Sequence, residues 1–355
     1  MNEIINILKE QKSLPLDKFI DLALYNKDFG YYMKKNPFGK KGDFITSPLV
    51  TNLFGEMIAI WCVSFWENIG KPNRFTIVEL GAGDGSLCKD IIVASRNFKN
   101  FYKCLKIKLL EKSDKLKKIQ KIKIKNNKVK WIKKVNELNN GPLIFLCNEF
   151  FDSLPIKQLY KKDNIFFEKY VGISKNNKSI KFIYKKAEKK LIYNIKKLNL
   201  TSHKNTIEYP ANAIKYLEII SKKICKYSGG LLIFDYGYTK QKNGDTLQSV
   251  KKHNYQNILL NPGKADITSH INYKLFTEIL IKNNLHVEKI INQSKFLQKL
   301  GIIERAQIIA EKKTFKEKID MFYRLKKLMH YNEMGGLFKV LMAKKKGIKF
   351  SLGFK

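Results

Sequence analysis

The sequence predicts an α/β fold built on a parallel sheet with helical crossovers. From Phe75 onward, strand-like and helix-like segments alternate: FTIVEL leads through GAGDGS into a helix, and LKIKLLE, KVKWI and PLIFLC follow as further strands. Such alternation is typical of parallel strands joined by crossover helices. With 355 residues, of which 44% are hydrophobic, the chain is long enough to bury a large core.

The pattern divides the chain into four predicted parts. Residues 1–70 form a helical segment that ends in a lid loop and the nearly all-apolar helix NLFGEMIAIWCVSFW. Residues 71–160 form the first half of the core, and residues 206–355 form the second half. Between them, residues 161–205 contain IFFEKYVGI and SIKFIYKK, which predict an inserted antiparallel hairpin. We expect residues 236–268 to be a long irregular loop.

The charge of the chain has two interpretations. The net charge is +38, which favours binding to polyanions such as nucleic acids. Nearly all of this charge is lysine spread from end to end, and the only arginines are Arg74, Arg96, Arg305 and Arg324. Nucleic-acid readers favour arginine for bidentate contacts. The codon bias of an AT-rich genome therefore also explains the charge, and both interpretations stay open.

Several classes of protein are disfavoured by the composition. Five scattered cysteines without a C-x-x-C pair predict reduced thiols rather than a disulfide scaffold, and the five histidines lack metal-ligand spacing, so we expect no metal site. The apolar run 57–66 is too short to cross a bilayer. The N-terminus resembles neither a signal nor a transit peptide, which leads us to expect a cytoplasmic protein.

A glycine loop follows the first core strand. VELGAGDGSL places Glu79, Gly81, Gly83 and Gly85 between that strand and its helix. Glycines permit a tight turn and a close approach of the backbone to a ligand, and the helix N-terminus then offers free N–H groups. The dinucleotide fingerprint is incomplete, because its third glycine would stand at Ser86, and the phosphate-loop ending Gly-Lys-Ser/Thr is absent.

The second core strand ends in Glu111. A carboxylate at that position can accept hydrogen bonds from both hydroxyls of a ribose, as in dinucleotide folds. The site therefore favours a nucleoside but lacks the usual pyrophosphate apparatus. S-adenosylmethionine, which is adenosine joined to an amino acid without phosphate, is such a ligand.

The glycine loop and Glu111 resemble those of class I S-adenosylmethionine-dependent methyltransferases, and the chain as a whole resembles the MidA family. Family members often carry Pro and Arg where this chain has Ala82 and Asp84, and neither difference removes a glycine. The matching stretches cover nearly the whole chain in order: FGYYMKKNPFGKKGDFITSP (29–48), LFGEMIAIW (53–61), VELGAGDGSL (78–87), NEFFDSLP (148–155), LIFDYGY (232–238), GDTLQSVKKHNY (244–255), NPGKADITSHINY (261–273) and GGLFKVL (335–341).

This resemblance implies a Rossmann-like class I methyltransferase sheet of seven strands, the last antiparallel, with S-adenosyl-L-methionine as cofactor. The N-terminal lid loop would pack over the cofactor through Thr46, Ser47 and Pro48. Asp84 in the glycine loop and Asn148 after the fourth strand complete the implied cofactor-binding residues. Mitochondrial members of the family include a protein arginine methyltransferase needed for respiratory complex I assembly, which implies a complex I subunit as substrate.

Carboxylates after the fourth core strand and within the fifth predict the acceptor site. Glu149 and Asp152 come directly after the strand PLIFLC, whose carboxyl end faces the cofactor crevice. Two carboxylates can bind the planar fork of an arginine guanidinium and direct one nitrogen at the methyl group. Asp235, from the fifth strand LLIFDYGY, is expected to add a third carboxylate. The alternative is a plain polar turn before Pro155.

Three functions remain open from the sequence. The first is methylation of a protein arginine, and the second is methylation of an amino group on an RNA or DNA base, for which Asn148 and two phenylalanines fit but the usual Pro-Pro is missing. The third is a non-catalytic assembly factor that retains the fold. The sequence does not decide the substrate protein or the oligomeric state.

Overall fold

The computed structural model describes residues 2–39, 42–43, 46–174, 179–200, 206–240, 245–252 and 254–355. Its strands, in chain order, are β1 Ser13–Pro15, β2 Phe75–Leu80, β3 Leu105–Leu110, β4 Val129–Ile132, β5 Leu143–Asn148, β6 Lys157–Lys162, β7 Ile165–Ile173, β8 Ile180–Lys186, β9 Thr206–Tyr209, β10 Gly229–Tyr238, β11 Gln248–Lys251, β12 Asn254–Gln256, β13 Asp266–Thr268, β14 Ile271–Asn272, β15 Leu285–Val287, β16 Ile291–Asn292 and β17 Phe338–Lys345.

The helices alternate with the core strands as the sequence predicts. In chain order they are α1 Asn2–Gln11, α2 Leu16–Tyr25, α3 Tyr31–Lys34, α4 Ser47–Val50, α5 Asn52–Asn68, α6 Ser86–Ser95, α7 Lys99–Cys104, α8 Asp114–Ile124, α9 Lys189–Lys197, α10 Ala211–Tyr227, α11 Tyr273–Lys282, α12 Gln293–Lys299, α13 Ile302–Glu311, α14 Phe315–Met329 and α15 Met334–Leu337. None of the helices in the described ranges has the length and apolar character needed to span a lipid bilayer.

The main sheet has the strand order β15-β17-β10-β5-β2-β3-β4. The five strands from β10 to β4 are parallel, whereas β17 runs antiparallel between β10 and β15. The order reverses beside β2, between β3 and β5, and in open parallel sheets such a point opens a crevice beyond the carboxyl ends of the strands. The predicted sheet of seven strands with an antiparallel last strand is confirmed, and the short strands β14 and β16 pair with the ends of β10 and β17.

Apolar residues cover both faces of the sheet. On one face Phe65 of α5 and Ile91 of α6 are buried in one apolar cluster that includes Ile77 of β2 and Ile107 of β3. On the other face α10 and α11 bury Leu217 and Phe276 against β5 and β10. Each large apolar side chain contributes roughly 1.5–3 kcal/mol on burial. The two layers hold the strand ends, and therefore the loops after them, in fixed positions.

The inserted segment forms a sheet of its own. β7 and β8 pair antiparallel from Phe167 opposite Lys186 to Ile173 opposite Ile180, as the predicted hairpin requires. The full sheet has the order β1-β7-β6-β9 with β8 on β7, so it begins before residue 161, ends after residue 205, and includes a strand of the N-terminal segment. The division of the chain into four parts stays a prediction.

The expectation of an irregular loop over residues 236–268 is wrong for the described part of that range. β10 continues to Tyr238, and β12, β11 and β13 form a small antiparallel sheet in that order. These strands have three or four residues each, which is too short for a periodic pattern to be recognised. The small sheet forms one wall of the crevice at the end of the main sheet.

Candidate active site

The glycine loop after β2 has the backbone conformation that glycine permits. Gly81 and Gly83 have φ of +69° and +53°, in the left-handed region. A Cβ atom on Gly81 would lie 2.9 Å from Cδ2 of Phe150, and one on Gly83 would lie 3.3 Å from Cζ of Phe38. Because these two positions carry no side chain, the backbone of the loop itself faces the crevice, in space that a side chain would otherwise occupy.

Glu79 is buried at the base of this loop. Its Oε2 atom has no hydrogen-bond partner among the described residues. Burial, with the nearby carboxylates of Asp84 and Glu111, raises the pKa of Glu79 to about 8. A buried carboxylate without a partner is costly, so this position is suited to a ligand that carries an ammonium group.

Glu111 is held in place by a buried glutamine. Its Oε1 accepts the backbone N–H of Ser113 over 2.9 Å, and its Oε2 accepts Nε2 of Gln120 over 3.2 Å. The same Gln120 amide donates to the carbonyl of Gly83 over 2.8 Å and accepts from Nε1 of Trp131 over 2.8 Å. Gln120 thereby fixes the glycine loop and Glu111 relative to each other.

Glu149 has an unusual backbone conformation at the start of the loop after β5. Its φ is +51°, which is uncommon for a residue other than glycine. The Asn148 amide donates to Glu149 Oε1 over 3.2 Å, and the backbone N–H of Ser47 in the lid donates to the same carboxylate. Burial and the neighbouring Asp152 raise the pKa of Glu149 to about 8.

The carboxylates of Asp152 and Asp235 differ in their hydrogen bonds. Asp152 is buried, its Oδ1 atom has no hydrogen-bond partner in the described part of the chain, and burial raises its pKa to about 6. Asp235 accepts the backbone N–H groups of Phe151 and Asp152 at Oδ2, over 3.2 and 3.3 Å. It also accepts the N–H of Tyr236 at Oδ1 over 3.0 Å. Burial and the Asp152 carboxylate raise the pKa of Asp235.

A cavity of about 590 Å³ joins these groups at the carboxyl ends of the strands. It is lined by ten of the thirteen residues that the sequence predicts for the site, namely Thr46, Pro48, Glu79, Gly81, Gly83, Asp84, Glu111, Asn148, Glu149 and Asp152. The other three lie outside the cavity wall. Gly85 packs against α8, the Ser47 hydroxyl donates to Gln293 over 3.1 Å, and Asp235 lies behind the loop that it holds.

Several residues of the cavity are not among the thirteen that the sequence predicts for the site. Asp266 lines it from β13, and several aromatic side chains line it as well. Tyr25 and Tyr32 come from the N-terminal segment and Tyr236 from β10. Of these, Tyr32, Tyr236 and Asp266 lie in stretches that resemble the MidA family, FGYYMKK, LIFDYGY and NPGKADITSHINY, so the signal was present, but no local pattern marks them as one site.

A known protein family matches the part of the chain that carries most of these site residues. Residues 57–291 match the family described as "putative S-adenosyl-L-methionine-dependent methyltransferase". The chain belongs to this methyltransferase family. The match spans the glycine loop, Glu111, the loop after β5 and Asp266, all of which contribute to the cavity wall.

Curated relatives of this methyltransferase carry a more specific name. A protein from Caenorhabditis elegans named protein arginine methyltransferase NDUFAF7 homolog, mitochondrial, is 30% identical over 91% of this chain and 80% of its own length. The Xenopus laevis protein arginine methyltransferase NDUFAF7, mitochondrial, is 27% identical over 96% of this chain and 83% of its own. The expected cytoplasmic location is therefore contradicted, because these relatives are labelled mitochondrial.

A solved structure shares the fold of this methyltransferase along almost its whole length. It is a COG1565 superfamily member from Burkholderia thailandensis bound to S-adenosyl-homocysteine, with a TM-score of 0.82 and 21% identity. The similarity covers 98% of this chain and 92% of the other. At this level of identity the likeness concerns the fold.

The residues present in the cavity fit S-adenosylmethionine. The unpartnered Oε2 of Glu79 suits the ammonium group of the methionine part, and Glu111 suits the ribose hydroxyls. Gly81 and Gly83 leave open the space that side chains would occupy. When bound, this cofactor supplies a methyl group as an electrophile, and its sulfur keeps the electron pair of the broken bond.

Proposed function

We propose that this methyltransferase methylates an arginine side chain of a protein. The observation that carries the proposal is the carboxylate cluster formed by Glu149, Asp152 and Asp266. All three side chains line the cavity, and none has an ion pair with a lysine or arginine among the described residues. The chain has 69 lysines and arginines, so carboxylates without an ion pair in this cavity favour a cation supplied by the substrate.

A guanidinium is the cation that suits this cluster best. It is planar, stays charged at all physiological pH values, and donates five hydrogen bonds in a fixed fork that matches carboxylates. The aromatic rings of Tyr25, Tyr32 and Tyr236 line the same cavity, and a planar cation gains energy on such faces. A nucleobase amine carries no charge and would leave the carboxylates unpaired.

The residues of the cluster would act mainly by positioning the acceptor. Glu149 and Asp152 hold the guanidinium so that one nitrogen faces the methyl group, which converts the transfer into an oriented reaction between two bound groups. The carbon–nitrogen bond forms as the carbon–sulfur bond breaks. Glu149, whose pKa in the free site is raised to about 8, takes the proton that the methylated nitrogen loses.

The names of the curated relatives support arginine as the acceptor. The resemblance to the MidA family adds a subunit of respiratory complex I as the proposed target. The substrate protein is therefore expected to be a folding or assembling subunit rather than a free amino acid.

The proposed function can be tested on extract from cells that lack this protein. The extract is incubated with purified enzyme and methyl-labelled S-adenosylmethionine, and then divided between protease and ribonuclease digestion. We expect label that is lost on protease treatment and survives ribonuclease. Label that is lost on ribonuclease treatment would instead support methylation of a nucleic acid.

A further inference from the structure

Asp266 lies in the cavity although it is far in sequence from the loop after β5. It stands at the start of β13, in the small sheet that walls the crevice, and is 6% exposed. Its Oδ1 atom accepts the Tyr32 hydroxyl over 2.8 Å and the backbone N–H of Ile267 over 3.0 Å. These bonds leave its second oxygen, Oδ2, available to a further donor. The backbone N–H of Ser269, three residues further along the chain, donates to the carbonyl of Asp152 over 2.9 Å, which brings the end of β13 to the loop after β5. Burial and the charge of Asp152 raise the pKa of Asp266 to about 7.

The N-terminal segment adds an aromatic wall beside this carboxylate. The rings of Tyr25 and Tyr32 stack with centroids 5.6 Å apart and planes inclined by 21°. The Tyr25 hydroxyl donates to the carbonyl and to Oγ of Ser153, both over 3.1 Å, so the wall is tied to the loop that carries Asp152. A planar cation between these rings and the carboxylates would be bound by both.

We propose that Asp266 is a substrate-binding carboxylate, held in position by Tyr32, that receives the acceptor guanidinium together with Glu149 and Asp152. This inference rests on the proposed function and extends it to a residue from the small sheet and a positioning residue from the N-terminal segment. A second observation supports a ligand here: Asp152, 5% exposed, lines the same cavity with its Oδ1 atom unpartnered among the described residues.

A second buried aspartate that accepts a tyrosine hydroxyl, Asp43 with Tyr31, lies outside the cavity and provides a matched control for Asp266 with Tyr32. The Tyr31 hydroxyl donates to Oδ2 of Asp43 over 2.6 Å, and the backbone N–H of Lys252 donates to Oδ1 of Asp43 over 2.8 Å. Asp43 is 8% exposed and, like Asp266, accepts one tyrosine hydroxyl and one backbone N–H. It does not line the cavity. Asp43→Asn and Tyr31→Phe therefore control for the loss of a buried carboxylate or hydroxyl as such.

The test measures binding of ethylguanidinium, the head group of arginine, to full-length protein saturated with S-adenosyl-homocysteine. Asp266→Asn keeps the acceptor for Tyr32 but removes the charge, so we expect ethylguanidinium to bind about tenfold more weakly or worse. Tyr32→Phe should weaken it by a few-fold, about the effect of one hydrogen bond. Affinity for S-adenosyl-homocysteine should stay within about twofold in each variant, which shows that the fold is retained.

The outcomes separate this inference from the proposed function. Unchanged ethylguanidinium binding in Asp266→Asn, or equal losses in Asp266→Asn and Asp43→Asn, would overturn the role of Asp266. Failure of the wild-type protein to bind ethylguanidinium would overturn the guanidinium site itself. Binding that depends on Asp266 in a protein that methylates no arginine in extract would support this inference and contradict the proposed function.

Discussion

Oδ2 of Asp235 lies 3.3 Å from the backbone nitrogen of Asp152 and 3.2 Å from that of Phe151. The carboxylate at the end of β10 therefore holds the backbone of the loop after β5, which carries two members of the carboxylate cluster. Its Oδ1 accepts the N–H of Tyr236, the next residue in its own strand. Asp235 is a positioning residue in this arrangement rather than a ligand of the acceptor.

Asp235→Asn is expected to disturb the loop without touching the cofactor site. The amide nitrogen of asparagine must face either Tyr236 or the loop, so at least one backbone N–H loses its acceptor. The free energy of unfolding should fall by about 1–3 kcal/mol. Denaturant unfolding measures the loss, and calorimetry should show unchanged affinity for S-adenosyl-homocysteine. A fully stable and fully active variant would contradict the positioning role.

Glu149→Gln is expected to reduce methyl transfer but retain cofactor binding. The substitution keeps the shape of the side chain and removes the charge that would bind the guanidinium. Losing one charge-assisted hydrogen bond costs about 1.5–3 kcal/mol, or roughly 10- to 150-fold in kcat/KM. Steady-state rates with a peptide that contains the acceptor arginine in unmethylated form measure the effect. Equal rates for the variant and the wild-type protein would exclude Glu149 from the acceptor site.

Gly81→Ala is expected to weaken cofactor binding. At φ +69° a side chain is strained by about 1–2 kcal/mol, and the new Cβ would lie 2.9 Å from the ring of Phe150 in the cavity. Gly70→Ala is the control, because Gly70 has φ +88° but open space around its Cβ position. Both variants should lose stability, and only Gly81→Ala should lose affinity for S-adenosyl-homocysteine, by about tenfold or more. Calorimetric titration measures the difference.

The catalytic rate is expected to depend on pH through the carboxylate cluster. The carboxylates bind a cation only when ionised, and burial raises their pKa to about 6 for Asp152, about 7 for Asp266 and about 8 for Glu149. The value of kcat/KM should therefore rise between pH 6 and pH 8. Glu149→Gln lacks the carboxyl group with the highest of these pKa values, so its kcat/KM should reach a plateau at lower pH. A pH profile of initial rates that falls over this range would contradict the assignment.

The stability of the cofactor-free protein should change with pH in the opposite direction. Burial raises the pKa of both Glu79 and Glu149 from 4.5 to about 8. Between these pH values the folded protein keeps protons that the unfolded chain has released, so the free energy of unfolding falls as pH rises. Each group contributes at most about 1.4 kcal/mol per pH unit. Unfolding in denaturant at pH 5 and pH 8 measures the slope, which should be shallower in Glu149→Gln.

Local patterns in the sequence were sufficient to bring the proposed cofactor-binding residues to one edge of the sheet. The run from Thr76 to Leu80 is a fully buried strand, the glycines follow it at once, and Glu111 directly follows the next strand. The strand order of a parallel sheet then brings these residues to one edge. Glu149 and Asp152 line the cavity for the same reason, since they follow β5 directly.

The acceptor side of the cavity depends on contacts that no local pattern records. Tyr32 and Asp266 meet across 234 residues of sequence, and Asp266 stands on a strand of three residues. Asp235 was expected in the cavity because it lies near the carboxyl end of a core strand. Side chains alternate between the two faces of a strand, and it is Tyr236, the next residue, that lines the cavity. Gln120 could not be identified from a local pattern either, because its role depends on simultaneous contacts with Trp131 and with the glycine loop.

The most direct test of arginine methylation is the identity of the amino acid that carries the label. Protein from labelled extract is hydrolysed in acid, and the labelled products are separated against methylated amino acid standards. We expect the label to elute with methylarginine after reaction with the wild-type enzyme and to be nearly absent after reaction with Glu149→Gln. Label that elutes with methyllysine or with another amino acid, or no labelled amino acid despite measured cofactor binding, would contradict the account.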